Sequence, residues 1–525
     1  MTRSRCMLLV PVLALATLVG LGVTPAAAQT PKSGGHLNIM LREDLSPGFA
    51  VHESSTISTS FPSMPCFNNL VVFDQLKRAE TPENIVGELA EKWSWQDNYR
   101  NLVFFLRKNV KWHDGQAFTS KDVKFTFDML REAPEATAKL RINPRKDWYA
   151  NLEAVEAADP YTVVFRLKRP QPGLLNMLAS GYTPIYAAHV NPATYRTGCI
   201  GTGPFKVKEW RKGEFVDYVK NPDYFMKGRP YLDSLRYVII KERGTRVAAL
   251  QSGQLDVSFP GETTKTAAEQ LKKAVPGLVI TPVAQAVSDN IIMNTKKAPF
   301  DNKALRQAIA LAVDKEEIRK IAYFGAGESG GEEVPSKSKW FSGQDPYKTP
   351  DLAAAKAKMA EAGHANGLTI NYLGLPQYPE LLKTGQVVRE QLKKIGITMK
   401  IQQVDVSVWF DRFVKGNYEI TSAYQERTID PDNFYSLVLK TGGSINSTFY
   451  SNPKADALIT QAARETDDAK RKDLYVQLRK VIWDDVPLLF VHYETINYLM
   501  RKAVTGSTVN PTLELRMGQV GITKA

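Results

Sequence analysis

Apolar and polar positions follow their most legible rule between Leu89 and Leu130. Leu102, Phe104 and Leu106 fall on one face of a period-two pattern and Val103 and Phe105 on the other, which predicts a strand covered on both sides. Asp114-Gly115 then turns the chain. Thr119 with Asp122 three residues on, followed by Val123, Phe127 and Leu130 at helical spacing, predicts a capped helix. The order is strand, turn, helix.

The same rules read the rest of the chain. Gly34 to Leu41 predicts a strand, followed by the hydroxyl-rich loop Ser54 to Ser60. Leu70 to Phe73 and Ala157 to Leu167 predict further strands. Phe205 and Val207 alternate with Lys206 and Lys208, and a Lys212-Gly213 turn leads into Glu214 to Lys220, which predicts a hairpin. Leu235 to Ile240 predicts a strand, and Val247 with Leu250 a short helix stopped by Gly253. After a proline-marked connection at Pro282, Ile291 to Met293 reads as a strand and Ala304 to Ala312 as a helix. Helix at Asp351 to Ala362, strand at Leu368 to Leu373, helix at Gln386 to Lys394 and strand at Ile397 to Val404 predict an α/β unit with a largely parallel sheet. Helices at Lys454 to Glu465 and Asp468 to Trp483 close it, before two strands, Leu488 to Val491 and Ile496 to Met500.

Leu89 to Phe127 closely resembles the signature of the family 5 bacterial extracellular solute-binding proteins, the dipeptide, oligopeptide and nickel receptors of ATP-driven importers. Gly201-Thr202-Gly203-Pro204-Phe205, Lys220 to Phe225, Ala248 to Gly253 with Leu255-Asp256, Asn294-Thr295 to Lys315, Asp430-Pro431-Asp432 and Tyr450 to Asp485 resemble later family segments in the same order. The resemblance implies an α/β, periplasmic-binding-protein-like fold: two discontinuous α/β domains with a hinge plus an inserted α/β module, type II and cluster C-like. It implies residues 29–65, 199–284 and 503–525 as domain I, 66–198 as the inserted module and 285–502 as domain II, with chain crossings near 284 and 502. A receptor of this kind captures a peptide or peptide-like solute by hinge closure. It works as a monomer with an inner-membrane ABC permease whose ATPase subunits are separate. The resemblance implies no cofactor and no catalysis.

Composition changes this picture little. The chain has 525 residues, 23% charged and 43% hydrophobic, which suits a soluble protein of several packed units. The formal charge of +13 suggests nucleic acid only if it is clustered, and the Lys and Arg residues are spread out, so a solvated surface is expected. Arg3 and Arg5, the apolar run Met7 to Val23 and Ala26-Ala27-Ala28 predict a signal peptide over 1–28, cleaved after Ala28, and hence a periplasmic protein. Of the three cysteines Cys6 leaves with that peptide. Cys66 and Cys199, at the implied borders of the inserted module, are then either free or joined, and spacing does not decide between them.

Catalytic chemistry finds little footing. Gly327-Glu328-Ser329-Gly330-Gly331 fits a nucleophile elbow formally, but a loop rather than a strand-turn-helix surrounds it. Gly201-Thr202-Gly203-Pro204 lacks the third glycine of a phosphate loop, and Pro204 removes a donor. The six histidines show no zincin spacing and no cysteine pair has metal-ligand spacing. A secreted hydrolase and a nickel or metallophore receptor are therefore the competing expectations to a peptide receptor.

The resemblance places the binding site on the Ser55 and Thr56 loop and on Tyr424, Arg427, Thr428 and Asp430. In peptide-binding relatives an aromatic ends the strand before Asp-Pro-Asp, and an Asp three residues later holds the ammonium of the peptide. Tyr424 matches the aromatic, but Arg427 stands where the acid is expected. A guanidinium about 4 Å from an ammonium repels it by roughly 4 kcal/mol at an effective dielectric near 20, whereas arginine suits a carboxylate. The expectation is an anionic or N-blocked solute. Two readings compete with it: Arg427 pairs internally with Glu426 or Asp430, or a slipped register makes Glu426 the acid. Trp409 stacks on a ligand or, in the apolar helical pattern Val406 to Phe413, packs in the core.

Overall fold

The computed structural model describes residues 31–54, 56–77, 80–263, 265–425, 430–506 and 515–522, without the side chains of 265, 266, 285 and 286. Residues 1–28, Ser55, Arg427 and Thr428 lie outside them.

The opening stretch folds as its pattern dictates. Ala90–Gln96 and Asn101–Leu106 form an antiparallel pair inside a four-stranded sheet completed by Leu152–Asp159 and Thr162–Leu167. Leu102, Phe104 and Leu106 are buried, and Lys92 covers the ring of Phe105 on the other face, 4.7 Å from its centroid. The helix Ser120–Leu130 starts on a capping box in which the Asp122 carboxylate accepts from the Thr119 backbone N–H at 2.8 Å.

A second sheet orders His36–Leu41, Ser234–Ile239, Phe215–Lys220 and Phe205–Arg211, the last two being the predicted hairpin. The glycines before that hairpin serve close packing. A Cβ on Gly201 would lie 1.8 Å from the Cys66 carbonyl oxygen, and one on Gly203 2.4 Å from the Pro65 oxygen. His113 reinforces the contact: its N–H donates to the Gly201 carbonyl at 2.8 Å, and its ring Nε2 meets the Gly203 carbonyl at 3.0 Å. Beside it Cys66 and Cys199 are joined in a disulfide, Cα atoms 6.6 Å apart.

The third sheet has six strands: Glu328–Ser329, Leu488–Arg501, Leu278–Met293, Ile420–Tyr424, Leu368–Gly374 and Ile397–Gln403. Only the Leu368–Gly374 strand pairs in parallel, with its neighbours on both sides; the other pairings are antiparallel. The expectation of a largely parallel sheet is thus corrected to a mixed one. The two predicted strands at 488–491 and 496–500 are one, and Pro282 lies within a strand instead of a connection. Over 278–284 the proline strand has Leu488–Arg501 as its sheet partner, so the missing N–H faces an open edge. Val257 stitches the second and third sheets, bridging Ile39 on one side and Met500 on the other.

Helices cover these sheets, several with side-chain caps: Asn302 before Lys303–Ala312, Asp351 before Leu352–Glu361, Asn452 before Pro453–Arg464 and Asp467 before Asp468–Asp485. The helix read as beginning at Gln386 instead spans Pro379–Lys393, its proline in the first turn, where no N–H is needed. No helix among the described residues is long and apolar enough to cross a membrane.

Candidate functional site

The site is built where the ends of the second and third sheets face each other. Arg42 follows the buried strand His36–Leu41, and its Nη2 donates to the Tyr378 hydroxyl at 3.3 Å, a contact between residues 336 apart in sequence. The guanidinium also lies over two rings, 4.7 Å from the centroid of Phe259 and 5.2 Å from that of Tyr378. Tyr424 ends the strand Ile420–Tyr424, its ring 6.3 Å from that of Tyr378. In register opposite Tyr424 is Asp289.

Behind Tyr424 runs a polar chain. There the Tyr323 hydroxyl donates to Asp289 Oδ2 at 2.6 Å, and Thr384 Oγ1 donates to the same oxygen at 3.0 Å. Burial drives the Asp289 carboxyl up to about 7 against these two donors. Glu494 sits within Leu488–Arg501 where the register with Leu278–Met293 shifts, between Ala284 and Ser288. Burial, then the nearby Glu380 and Asp289, push it up to about 8, with Arg42 and Arg243 opposing.

Arg42, Tyr378, Glu380, Tyr424 and Glu494 are each only half-buried, and Arg42 retains 31% of its side-chain surface. Yet burial is the leading influence on the titration of Arg42, Tyr378, Tyr424 and Glu494. Half-buried side chains brought together from separate elements in this way make a candidate chamber wall. That wall is contributed by both sheets.

The sequence-predicted residues distribute unevenly around it. Tyr424 is on the wall. Thr56 is exposed, its hydroxyl 3.3 Å from that of Ser54, and it precedes the helix Ile57–Ser63, whose Ser58 donates to Glu43 beside Arg42. Asp430 caps the short helix Pro431–Phe434, as a turn-shaping residue does. It is 2% exposed, Arg471 grips both its oxygens at 2.8 and 2.6 Å, and Asn176 and the Asp432 N–H take further bonds, so its acceptor sites are engaged. Trp409 is buried against Phe413, and its indole N–H donates to Thr421 Oγ1 at 3.1 Å, which makes it core. The Ser329 hydroxyl bonds to Glu316, and neither ring nitrogen of its register partner His492 has a partner among the described residues, so no serine–histidine pair forms.

Sequence reasoning missed Arg42, Phe259, Tyr378, Asp289, Glu380 and Glu494. None carried a clear local signal: Asp289 lies between Ser288 and Asn290, and Glu494 lies in the partly polar stretch His492 to Asn497.

The geometry agrees with what the chain resembles. The model of the bacterial extracellular solute-binding proteins, family 5 (middle), matches residues 84–446. The chain belongs to this family. It is 30% identical over 522 residues to the oligopeptide-binding protein AppA of Bacillus subtilis (strain 168), covering 93% of this chain and 92% of that one. It is 29% identical over 484 residues to the dipeptide-binding protein of Escherichia coli (strain K12), covering 86% and 87%. In fold it is similar to the ABC transporter-associated periplasmic binding protein DppA from Helicobacter pylori in complex with the peptide STSA, with a TM-score of 0.83 and 24% identity over 94% of this chain and 99% of the other. Family 5 members are binding proteins, and the architecture is theirs: two discontinuous α/β domains with a hinge and an inserted α/β module. The function that follows is extracytoplasmic solute binding.

Proposed function

We propose that this receptor is exported to the periplasm by cleavage of residues 1–28, captures a peptide or peptide-like solute and, as a monomer, delivers it to an ABC permease with separate ATPase subunits. It makes and breaks no covalent bond. The observation that carries the reading is the chamber wall, in which Arg42 and Phe259 of one half meet Tyr378 and Tyr424 of the other. Such a wall exists only when the halves are together, so a solute touching both favours the closed population. The division into 29–65, 199–284 and 503–525, the module 66–198 and the domain 285–502 is part of this proposal, with bending at the register shift around Glu494, beyond which 496–501 pair with 278–283 of the first domain. Two relatives described as dipeptide- and oligopeptide-binding support the peptide class. Arg427, with Thr428 beside it, favours a carboxylate-bearing or N-blocked member of that class.

Calorimetry on protein purified from the periplasm tests this with di- and tripeptides against N-acetylated acidic amino acids. Binding of the acidic or blocked compounds that weakens about tenfold or more in Arg427→Ala is expected. Tight binding of free-amino peptides that survives Arg427→Ala overturns the anionic preference, and no binding of any compound overturns the peptide class.

A further inference from the structure

The inserted module and domain II meet directly, through residues that take no part in the chamber wall. The Ser444 N–H donates to Asp147 Oδ2 at 2.7 Å, and the Ser444 hydroxyl donates to the Pro144 carbonyl at 3.1 Å. Gln171 Nε2 donates to Asp432 Oδ2 at 3.0 Å, and Asn151 Nδ2 holds the Gln171 amide oxygen at 3.0 Å, so the amide is aimed across the boundary. Both Gln171 and Asp432 are buried. Two residues on, Gly173 lies against the Asp430–Arg471 pair: a Cβ there would be 3.2 Å from Arg471 Nη2 and from Asp430 Cγ and Oδ1, the three atoms nearest to it. Its backbone is in the ordinary right-handed helical region, so the closeness of domain II is what asks for glycine. The module is held to domain I by other means, the Cys66–Cys199 bridge and Arg516, which donates to Glu88 at 3.0 Å and to Asn69 at 2.7 Å. It therefore travels with domain I when the halves part, and its contacts with domain II are the ones that opening breaks.

We propose that Asp147–Ser444 and Gln171–Asp432, with Gly173 seated on the Asp430–Arg471 pair, form a closure latch that sets how tightly any solute is held without touching it. Both bonds run from an N–H to a carboxylate, the stronger kind of hydrogen bond. On opening, each partner regains water, so the net gain per bond is small and the latch stays reversible. A solute binds by drawing the receptor from open to closed, and its affinity is the product of its own contacts and of the closing equilibrium. The latch acts on the second factor alone. Its loss weakens every solute by the same ratio, whereas loss of a chamber residue weakens some solutes more than others. This assignment rests on the receptor reading and the domain division given above.

The test loads the periplasmic protein with random tripeptide libraries, one free and one N-acetylated, identifies the retained peptides by mass spectrometry and measures several of differing composition by calorimetry. Gln171→Ala, Asp432→Ala and Asp147→Ala should each weaken all of them by the same factor of about five. Gln171→Ala combined with Asp432→Ala should weaken them no further than either change alone, because the same bond is lost in each case. Gly173→Leu should weaken them about tenfold or more by propping the halves apart. The solute-free melting temperature of Asp147→Ala should match wild type, since the open form lacks the bond. Unchanged affinity in all these variants, or losses that differ from peptide to peptide, overturns the latch and leaves the receptor reading standing. A lowered solute-free melting temperature in Asp147→Ala with affinity intact also overturns it, because the contact is then permanent. No retention by wild type from either library overturns the receptor reading and the latch with it.

Discussion

Asp430 and Arg471 meet by two parallel hydrogen bonds in a setting where both are almost wholly buried. Removing one charge from such a pair strands the other, at a cost of about 3–5 kcal/mol. Asp430→Asn is therefore expected to lower the urea midpoint strongly while the folded protein keeps its solute affinity; a variant of normal stability and lost affinity would return Asp430 to the binding site. Asp289 and Glu494 predict the opposite sensitivity. Both titrate above their unfolded values because of burial, at about 7 and about 8, so the unfolded chain releases their protons first. Their contribution to stability is full below pH 4 and falls as pH rises through 7 and 8. Melting temperatures between pH 5 and 9 should decline less steeply in Asp289→Asn than in wild type. At this scale the sequence was only partly legible. Tyr424 could be placed because a family pattern and a strand end coincide there. Arg42, Tyr378 and Glu494 could not, because their proximity depends on how three separate segments come together.

Local elements were the more readable level, and the reason is the range of the forces that set them. The helix at Ser120 was visible because Thr119 and Asp122 satisfy one another's backbone across three residues. The helices capped by Asn302, Asp351, Asn452 and Asp467 follow the same local chemistry. The strand Leu488–Arg501 was broken in two by reading the polar stretch His492 to Thr495 as an interruption. Its continuity comes from pairing with Leu278–Met293 and Glu328–Ser329, which no local pattern encodes. The mixed character of the third sheet escaped for the same reason. The Gly201 and Gly203 pair was read as the entry to the strand Phe205–Arg211, which it is, but its purpose became plain only with Cys66 lying against it. Gly201→Ala should destabilise by about 3 kcal/mol, because the added methyl meets backbone that side-chain rotation cannot clear. Chemical denaturation checks this, and a change below about 0.5 kcal/mol would show that the loop relaxes freely.

For the whole molecule, the decisive arrangement is two bodies joined by long strands whose register shifts twice, between Ala284 and Ser288 and between Asp289 and Asn290. Small-angle scattering should show a smaller radius of gyration when a retained tripeptide is bound, and the same radius with and without it would remove the closure mechanism. A third body, the module carrying the signature stretch, is tied to the rest by the Arg516 to Glu88 ion pair at 3.0 Å and by the cysteine bridge. Reduction should cost about 2–5 kcal/mol, read as a lower melting temperature in dithiothreitol and in Cys199→Ser. The bridge spans 133 positions of sequence, so it closes the entire excursion into a covalent ring. A protease that nicks one exposed loop inside that ring does not release a fragment. The cut receptor would run as a single species on a non-reducing gel and separate into two only after thiol treatment, which would let a receptor outside the cytoplasm survive a cleavage that would dismantle an unbridged chain.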